Sequence, residues 1–132
     1  MSFIEMPGLE DAKEAVAVPE GKYDLCVIQA DLTEKEGRKS VRMILEIEGE
    51  EDAGNIFHYI GLPGEDDDAD KRKSKMLFAR RFFNQFGINT DGGFEMEQLV
   101  GARATAAMVV QDEYEGDLRN SLKTNRLPSE AE

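Results

Sequence analysis

The sequence predicts an all-β domain with one helix, with its elements in the order β-β-β-α-β-β. Apolar residues occupy every second position from Val41 to Ile47, and this period of two indicates a strand with one buried face. Between Met76 and Phe86, apolar residues recur instead at the spacing of a helix face. Two further strand-like runs lie on either side of a tight turn at residues 114–116 near the end of the chain.

The first three strands are bounded by glycine, proline and charged residues. Gly21 precedes the first strand, in which Leu25 and Val27 share one face. Gly61 and Pro63 stop the third strand. The predicted ranges are residues 22–32 for the first strand, 33–39 for a polar loop, 41–48 for the second strand, 50–54 for a turn and 55–61 for the third strand.

A single helix is predicted at residues 69–86, after an acidic spacer. Asp68 or Asp70 is the predicted N-cap, because a carboxylate there accepts a hydrogen bond from a free backbone amide. Gly87 is predicted to follow the last turn, where the left-handed conformation is common. Beyond it the sequence predicts a short helical turn and the last two strands, at residues 94–99, 102–111 and 117–126.

This order of elements is that of an OB-fold, a five-stranded barrel with a helix between its third and fourth strands. Glycines at the ends of the predicted strands are available for the bends and bulges that a curved sheet needs. We therefore expect a five-stranded OB-fold barrel over residues 20–127. Residues 1–19 are predicted to form an N-terminal arm, with a short helix around residues 9–16, and residues 128–132 a short acidic tail.

The overall charge of the chain is strongly negative. A formal net charge of −12 argues against binding of duplex DNA through bulk positive charge, although local basic patches remain. The 132 residues fit one domain, with no apolar run long enough to span a bilayer and no signal-peptide pattern at the N-terminus. Cys26 is the only cysteine, which excludes an internal disulfide and favours a reducing compartment. We expect a cytoplasmic protein.

Sequence signatures of catalysis are absent. No P-loop, H-E-x-x-H or C-x-x-C motif occurs. His58 is the only histidine and lies inside an apolar strand, where a packed or surface role is more common than that of a base. The acidic run E-D-D-D-A-D resembles half of a calcium loop but lacks its glycine and its terminal glutamate. We therefore predict no enzymatic activity, no cofactor and no metal site.

Six segments of the chain, through their order and spacing, point to a known family. They are G-K-Y-D-L, K-S-V-R-M-I-L-E-I-E-G-E, N-I-F-H-Y-I-G-L-P, K-M-L-F-A-R-R-F-F-N-Q-F-G-I, L-V-G-A-R-A-T-A-A-M-V-V and Y-E-G-D-L-R-N-S-L-K. Over about residues 20–127 the chain resembles the phage-encoded single-stranded DNA-binding proteins with an OB-fold. The resemblance implies a protein of the host-cell cytoplasm that coats and protects single strands in phage replication or recombination, largely without sequence preference. Many single-strand binders end in a long acidic tail, whereas P-S-E-A-E follows the last strand here.

Binding of a single strand needs cations that neutralise the backbone and aromatic rings that stack on bases. An OB-fold binds its ligand on the face of strands two and three, between the loops that join strands one to two and four to five. The sequence offers cations and aromatic residues at both places. The predicted residues that bind single-stranded DNA are Arg38, Lys39, Arg42, Phe57, Tyr59, Tyr114, Arg119, Lys123 and Arg126.

Several of these residues have a second interpretation. Strand three presents either Phe57 and Tyr59 or His58 outward, because a slip of one residue exchanges the two faces. Tyr114 either stacks on a base or packs against its own hairpin, and Arg42 either contacts a phosphate or pairs with Glu46 or a neighbouring strand. The same choice between ligand contact and an ordinary packed or solvated role is open for Tyr59, Arg119 and Lys123.

The acidity also supports a function of a different class. Acids gather at residues 46–52 and 65–70. The alternative is therefore an acidic interaction module, or a DNA mimic, that docks on a host protein. In the favoured interpretation the partners are single-stranded DNA and replication or recombination proteins, without membrane contact, and the sequence leaves an oligomer open.

Overall fold

The computed structural model of the protein describes residues 2–127, which are mostly β with one α-helix. The strands and the helix follow one another in the predicted order. Short 3-10 helices occur at Leu9–Asp11 and Met96–Gln98. The main elements are β1 (Gly21–Lys35), β2 (Arg38–Ile47), β3 (Ile56–Gly61), α1 (Ala69–Gln85), β4 (Arg103–Tyr114) and β5 (Asp117–Lys123).

The five strands form one antiparallel sheet in the order β3-β2-β1-β4-β5. The two edge strands, β3 and β5, contact each other without backbone hydrogen bonds between them, so the sheet is curved but open. The pairing of β1 with its neighbours is irregular at two places. One extra residue lies in β1, between Val27 and Gln29 where it pairs with β2, and the other lies in β4, between Ala104 and Ala107 where it pairs with β1. Such bulges bend a strand and increase its twist, which accounts for the curvature.

The β1–β2 and β4–β5 hairpins are each closed by a two-residue Glu-Gly turn. Glu36 and Gly37 have φ angles of 54° and 79°, and Glu115 and Gly116 have φ angles of 51° and 87°. Positive φ at both central residues is typical of a type I′ turn, whose twist matches that of the flanking strands. The predicted polar loop at residues 33–39 is therefore wrong: the strands continue through it up to the turn.

The core lies between the concave face of the sheet and helix α1. Leu25, Met43 and Ile60 are among its fully buried residues. Phe82 is also fully buried, and its ring stacks on that of Phe86 with the centroids 4.2 Å apart. The helix thus closes one side of the curved sheet with aromatic side chains.

Helix α1 begins and ends as its sequence predicts. The Asp68 side chain accepts a hydrogen bond from the Lys71 backbone N–H at 2.7 Å, which identifies Asp68 as the N-cap. Gly87 follows the helix with φ of 67°, the left-handed conformation expected there. Asp67, just before the helix, pairs with Lys75 at 2.7 Å and with Lys71 at 3.7 Å.

Other predicted boundaries need correction. The helix expected around residues 9–16 is a single 3-10 turn. Strand β5 ends at Lys123 instead of continuing to Arg126, so Arg126 belongs to no strand. The acidic tail predicted at residues 128–132 lies outside the described residues. Within residues 2–127, no helix combines the length and the apolar character that crossing a membrane requires.

Candidate functional site

The outward face of strands β1, β2 and β3 carries two exposed aromatic rings side by side. Phe57 lies opposite Ile44, and Tyr59 lies opposite Arg42. The two aromatic residues are 50% and 53% exposed, respectively. Residues two apart in a strand point to the same face, at a rise of roughly 6.6 Å, so both rings are open to a ligand lying along β3.

The opposite face of β3 settles the register that the sequence left open. Ile56, His58 and Ile60 are all buried, so His58 points inward and the two aromatic residues point outward. The imidazole of His58 stacks on Phe78 and Phe82, with ring centroids 5.3 and 5.0 Å away. His58 is thus a core residue in the described structure.

Burial of His58 predicts that stability depends on pH. Burial lowers the pKa of His58 from 6.5 to about 4. The unfolded chain therefore takes up a proton as the pH falls through 6.5, whereas the folded chain resists protonation until about pH 4. The free energy of unfolding is expected to fall by about 3 kcal/mol across this interval.

The measurement is urea unfolding of the native protein and of His58→Leu at pH values above and below 6.5. Because both proteins share the same carboxylates, the difference between them isolates the histidine. That difference should change with pH between 6.5 and 4 and stay constant above 6.5. A difference that is independent of pH would contradict the assignment of His58 as a buried neutral residue.

Arg42 is tied to an acid on the neighbouring strand. Its Nη2 donates to Asp31 Oδ2 at 3.3 Å, and Gln29 Nε2 donates to the same oxygen at 2.8 Å. The hydrogen bonds from Gln29 and Arg42 lower the pKa of Asp31. Arg42, beside Tyr59, is therefore partly neutralised by Asp31. Of the alternatives that the sequence left open for Arg42, this structure has the pairing with a neighbouring strand.

The β1–β2 turn brings further cations to the end of the same face. Lys35 lies directly opposite Arg38, and neither forms an ion pair within residues 2–127. Strand alternation gives Arg38 the orientation of Arg42, while Lys39 has the opposite one, shared with Val41. Lys39 is thus on the other face of the hairpin. Arg38 also borders a groove next to the acidic loop at residues 64–67.

Tyr114 and Arg119 form a second cluster on the β4–β5 hairpin. The guanidinium carbon of Arg119 lies 4.6 Å from the centroid of the Tyr114 ring, a cation–π contact. Tyr114 is still 54% exposed. The tyrosine therefore packs against its own hairpin on one side and keeps surface open for another contact.

The remaining predicted residues lie apart from these clusters. Lys123 is exposed at the end of β5, opposite Met108. Arg126 is exposed in the segment after β5. The structure thus brings Arg38, Arg42, Phe57 and Tyr59 to one face and joins Tyr114 to Arg119 on the closing hairpin, but it leaves Lys39, Lys123 and Arg126 outside both clusters.

Sequence reasoning missed several residues of the β1–β3 face. Lys35 doubles the positive charge at the hairpin end, Asp31 neutralises Arg42, and Ile44 adds apolar surface beside Phe57. The Glu36-Gly37 pair was the available signal, because a two-residue turn there places Lys35 opposite Arg38 and sets the pairing of the whole hairpin.

Neither a metal-binding cluster nor a known relative indicates another kind of site. Within residues 2–127, no three His, Cys, Asp or Glu side chains converge as metal ligands would. Comparison of the chain with protein-family models and with curated proteins found no match.

Proposed function

We propose that this protein has a barrel of the OB-fold type and binds single-stranded DNA, which it coats and protects in phage replication or recombination. The observation that carries the proposal is the pair of exposed aromatic rings, Phe57 and Tyr59, on the outward face of β3. The strand order and the contact between the edge strands β3 and β5 support the barrel. The protein acts by binding, without catalysis.

The chemistry of this face suits an unpaired strand. The half-exposed rings leave apolar surface in contact with water, and covering such surface with a ligand is favourable. Stacking a base on each ring removes that surface from water and contributes about 1–3 kcal/mol per base. In duplex DNA the faces of the bases are already stacked, so only a single strand offers them to Phe57 and Tyr59.

Charge is expected to contribute less to the binding free energy than stacking does. Lys35 and Arg38, at one end of the face, form no ion pair with any residue from 2 to 127, and Arg119 lies on the closing hairpin. They belong to a chain of net charge −12, so long-range attraction to phosphate is weak. Affinity should therefore fall less steeply with salt than the slope of about −10 found for a duplex binder with many phosphate contacts.

The decisive test is fluorescence anisotropy of a labelled oligo-dT and of a labelled duplex of the same length, titrated with the protein at low salt. We expect binding of the single strand with a clear preference over the duplex. Equal affinity for the two would contradict a stacking site. Binding to neither would overturn the proposal and favour the acidic interaction module that docks on a host protein.

The ion pair on the binding face makes a second prediction. Asp31→Asn removes the carboxylate that holds Arg42 at 3.3 Å and so frees the guanidinium for a phosphate. Affinity for oligo-dT should rise, and the slope of log K against log salt should steepen by about 0.7, the value for one phosphate contact on a single strand.

Asp52→Asn is the matched control for this variant. This substitution also removes one negative charge from an ion pair, because Asp52 lies 3.3 Å from Lys13. Asp52, however, lies in the turn between β2 and β3, away from Arg42. The substitution should leave the slope unchanged. Equal effects of the two substitutions would show that net charge, and not release of Arg42, governs binding.

A further inference from the structure

The N-terminal arm exposes an unusual amount of apolar surface. Every residue from 2 to 11 is exposed, and Phe3 is 90% exposed. The same segment contains three acids and no basic residue. Its exposed apolar side chains are Phe3, Ile4, Met6 and Leu9, and its acids are Glu5, Glu10 and Asp11.

Among residues 2–127, the hydrogen bonds and ion pairs that attach the arm to the domain come from residues beyond this segment. Lys13 pairs with Asp52 at 3.3 Å, and the Val16 backbone N–H donates to the Asp52 carbonyl at 2.9 Å. The Val18 backbone N–H and carbonyl both bond to the Asn120 side chain, at 2.8 and 3.0 Å. Residues 2–11 therefore project from a fixed point and, at about 3.3–3.6 Å per residue, have a reach of up to about 35 Å.

One face of helix α1 complements the arm, because it combines exposed apolar side chains with cations. Lys73, Met76, Leu77 and Arg80 recur at helical spacing on the side opposite the buried Phe82, and all four are exposed. Met76, which the sequence pattern placed on the apolar face of the helix, is instead 61% exposed. Within residues 2–127, Lys73 and Arg80 form no ion pair. The outer face of α1 is defined by these four residues: two apolar side chains flanked by two cations.

We propose that residues 2–11 of one copy dock on the outer face of α1 of a second copy. Apolar side chains in the arm would cover Met76 and Leu77, and its acids would meet Lys73 and Arg80, so the contact is complementary in both apolar surface and charge. Within one molecule the arm and the helix face are both exposed, so the arm does not cover its own helix in this conformation.

Such a contact joins two different surfaces and is therefore head-to-tail. Contacts of this type produce a ring when the rotation closes and a filament when it does not. The association involves neither the β1–β3 face nor the closing hairpin, so it can be tested independently of DNA binding.

The test is sedimentation velocity of the full chain, without DNA, over a range of protein concentrations. The native protein should associate as its concentration rises. Phe3→Ser/Ile4→Ser in the arm and Met76→Ser/Leu77→Ser on the helix should each abolish the association. Leu32→Ser/Leu118→Ser removes two exposed apolar side chains elsewhere and should leave it intact.

Charge reversal then identifies the partners. Glu10→Lys/Asp11→Lys and Lys73→Glu/Arg80→Glu should each be monomeric alone, the first despite its lower net negative charge. A mixture of the two should associate again, because the native arm of the helix variant fits the native helix of the arm variant, and the reversed arm fits the reversed helix. A native protein that stays monomeric throughout, arm variants that associate normally, or a mixture that stays monomeric would each overturn the proposal.

Discussion

Replacing Phe57 and Tyr59 together by alanine is expected to weaken binding to oligo-dT by about 2–6 kcal/mol, at least about 30-fold, if each ring stacks on one base. Both side chains point away from the core and are half exposed. Their removal should therefore leave the fold and the free energy of unfolding nearly unchanged. The measurement is the anisotropy titration, with urea unfolding of the same sample as a check on stability.

Two conservative variants separate stacking from simple apolar contact. Tyr59→Phe retains the ring and should bind almost as tightly as the native protein. Phe57→Leu retains apolar surface without a ring and should lose most of what Phe57→Ala loses. Phe3→Ala, an aromatic residue on the arm that is 90% exposed, serves as the matched control. Undiminished affinity of the double alanine variant would show that the β3 face is not the DNA site.

Replacing Phe82 by alanine is expected to lower the free energy of unfolding by about 3–5 kcal/mol, the largest loss of stability that we predict. Phe82 is fully buried between sheet and helix. Its ring contacts His58, Phe83 and Phe86, with centroid distances of 5.0, 5.9 and 4.2 Å. Truncation leaves a cavity that these rigid rings can fill only in part.

Phe78→Ala is the matched control, because it makes the same truncation on the same helix. Phe78 is 41% exposed and stacks on one ring, that of His58. Its loss should cost only about 1 kcal/mol. Urea unfolding of the two variants compares them directly, and similar losses would contradict the position of the helix against the sheet. If Phe82→Ala does not fold, Phe82→Leu should still fold with a smaller loss.

Local patterns were sufficient for the type and order of the main elements. The period of two from Val41 to Ile47 corresponds to β2, and the helical spacing of apolar residues corresponds to α1. Asp68 and Gly87 mark the helix ends through hydrogen bonding and backbone conformation within a few residues. These signals depend only on residues close together in the sequence, so they can be recognised without knowledge of the tertiary contacts.

Strand ends were less predictable, because they depend on partners far along the chain. The polar residues 33–39 carry no apolar alternation, yet they form the tip of a hairpin because β1 and β2 pair up to the Glu36-Gly37 turn. Conversely, β5 stops at Lys123, the last residue that pairs with β4. Composition alone therefore predicted a loop in the first case and a longer strand in the second.

The sequence by itself determined the mostly β class with one helix, the order of its elements and the cations and aromatic residues available for the proposed binding site. Tertiary structure decided which of those residues face the same way. It turned Phe57 and Tyr59 outward, buried His58 and gave Arg42 a partner in Asp31. The physical reason is that a shift of one residue in strand pairing reverses every side chain, and that pairing is set by contacts between distant segments.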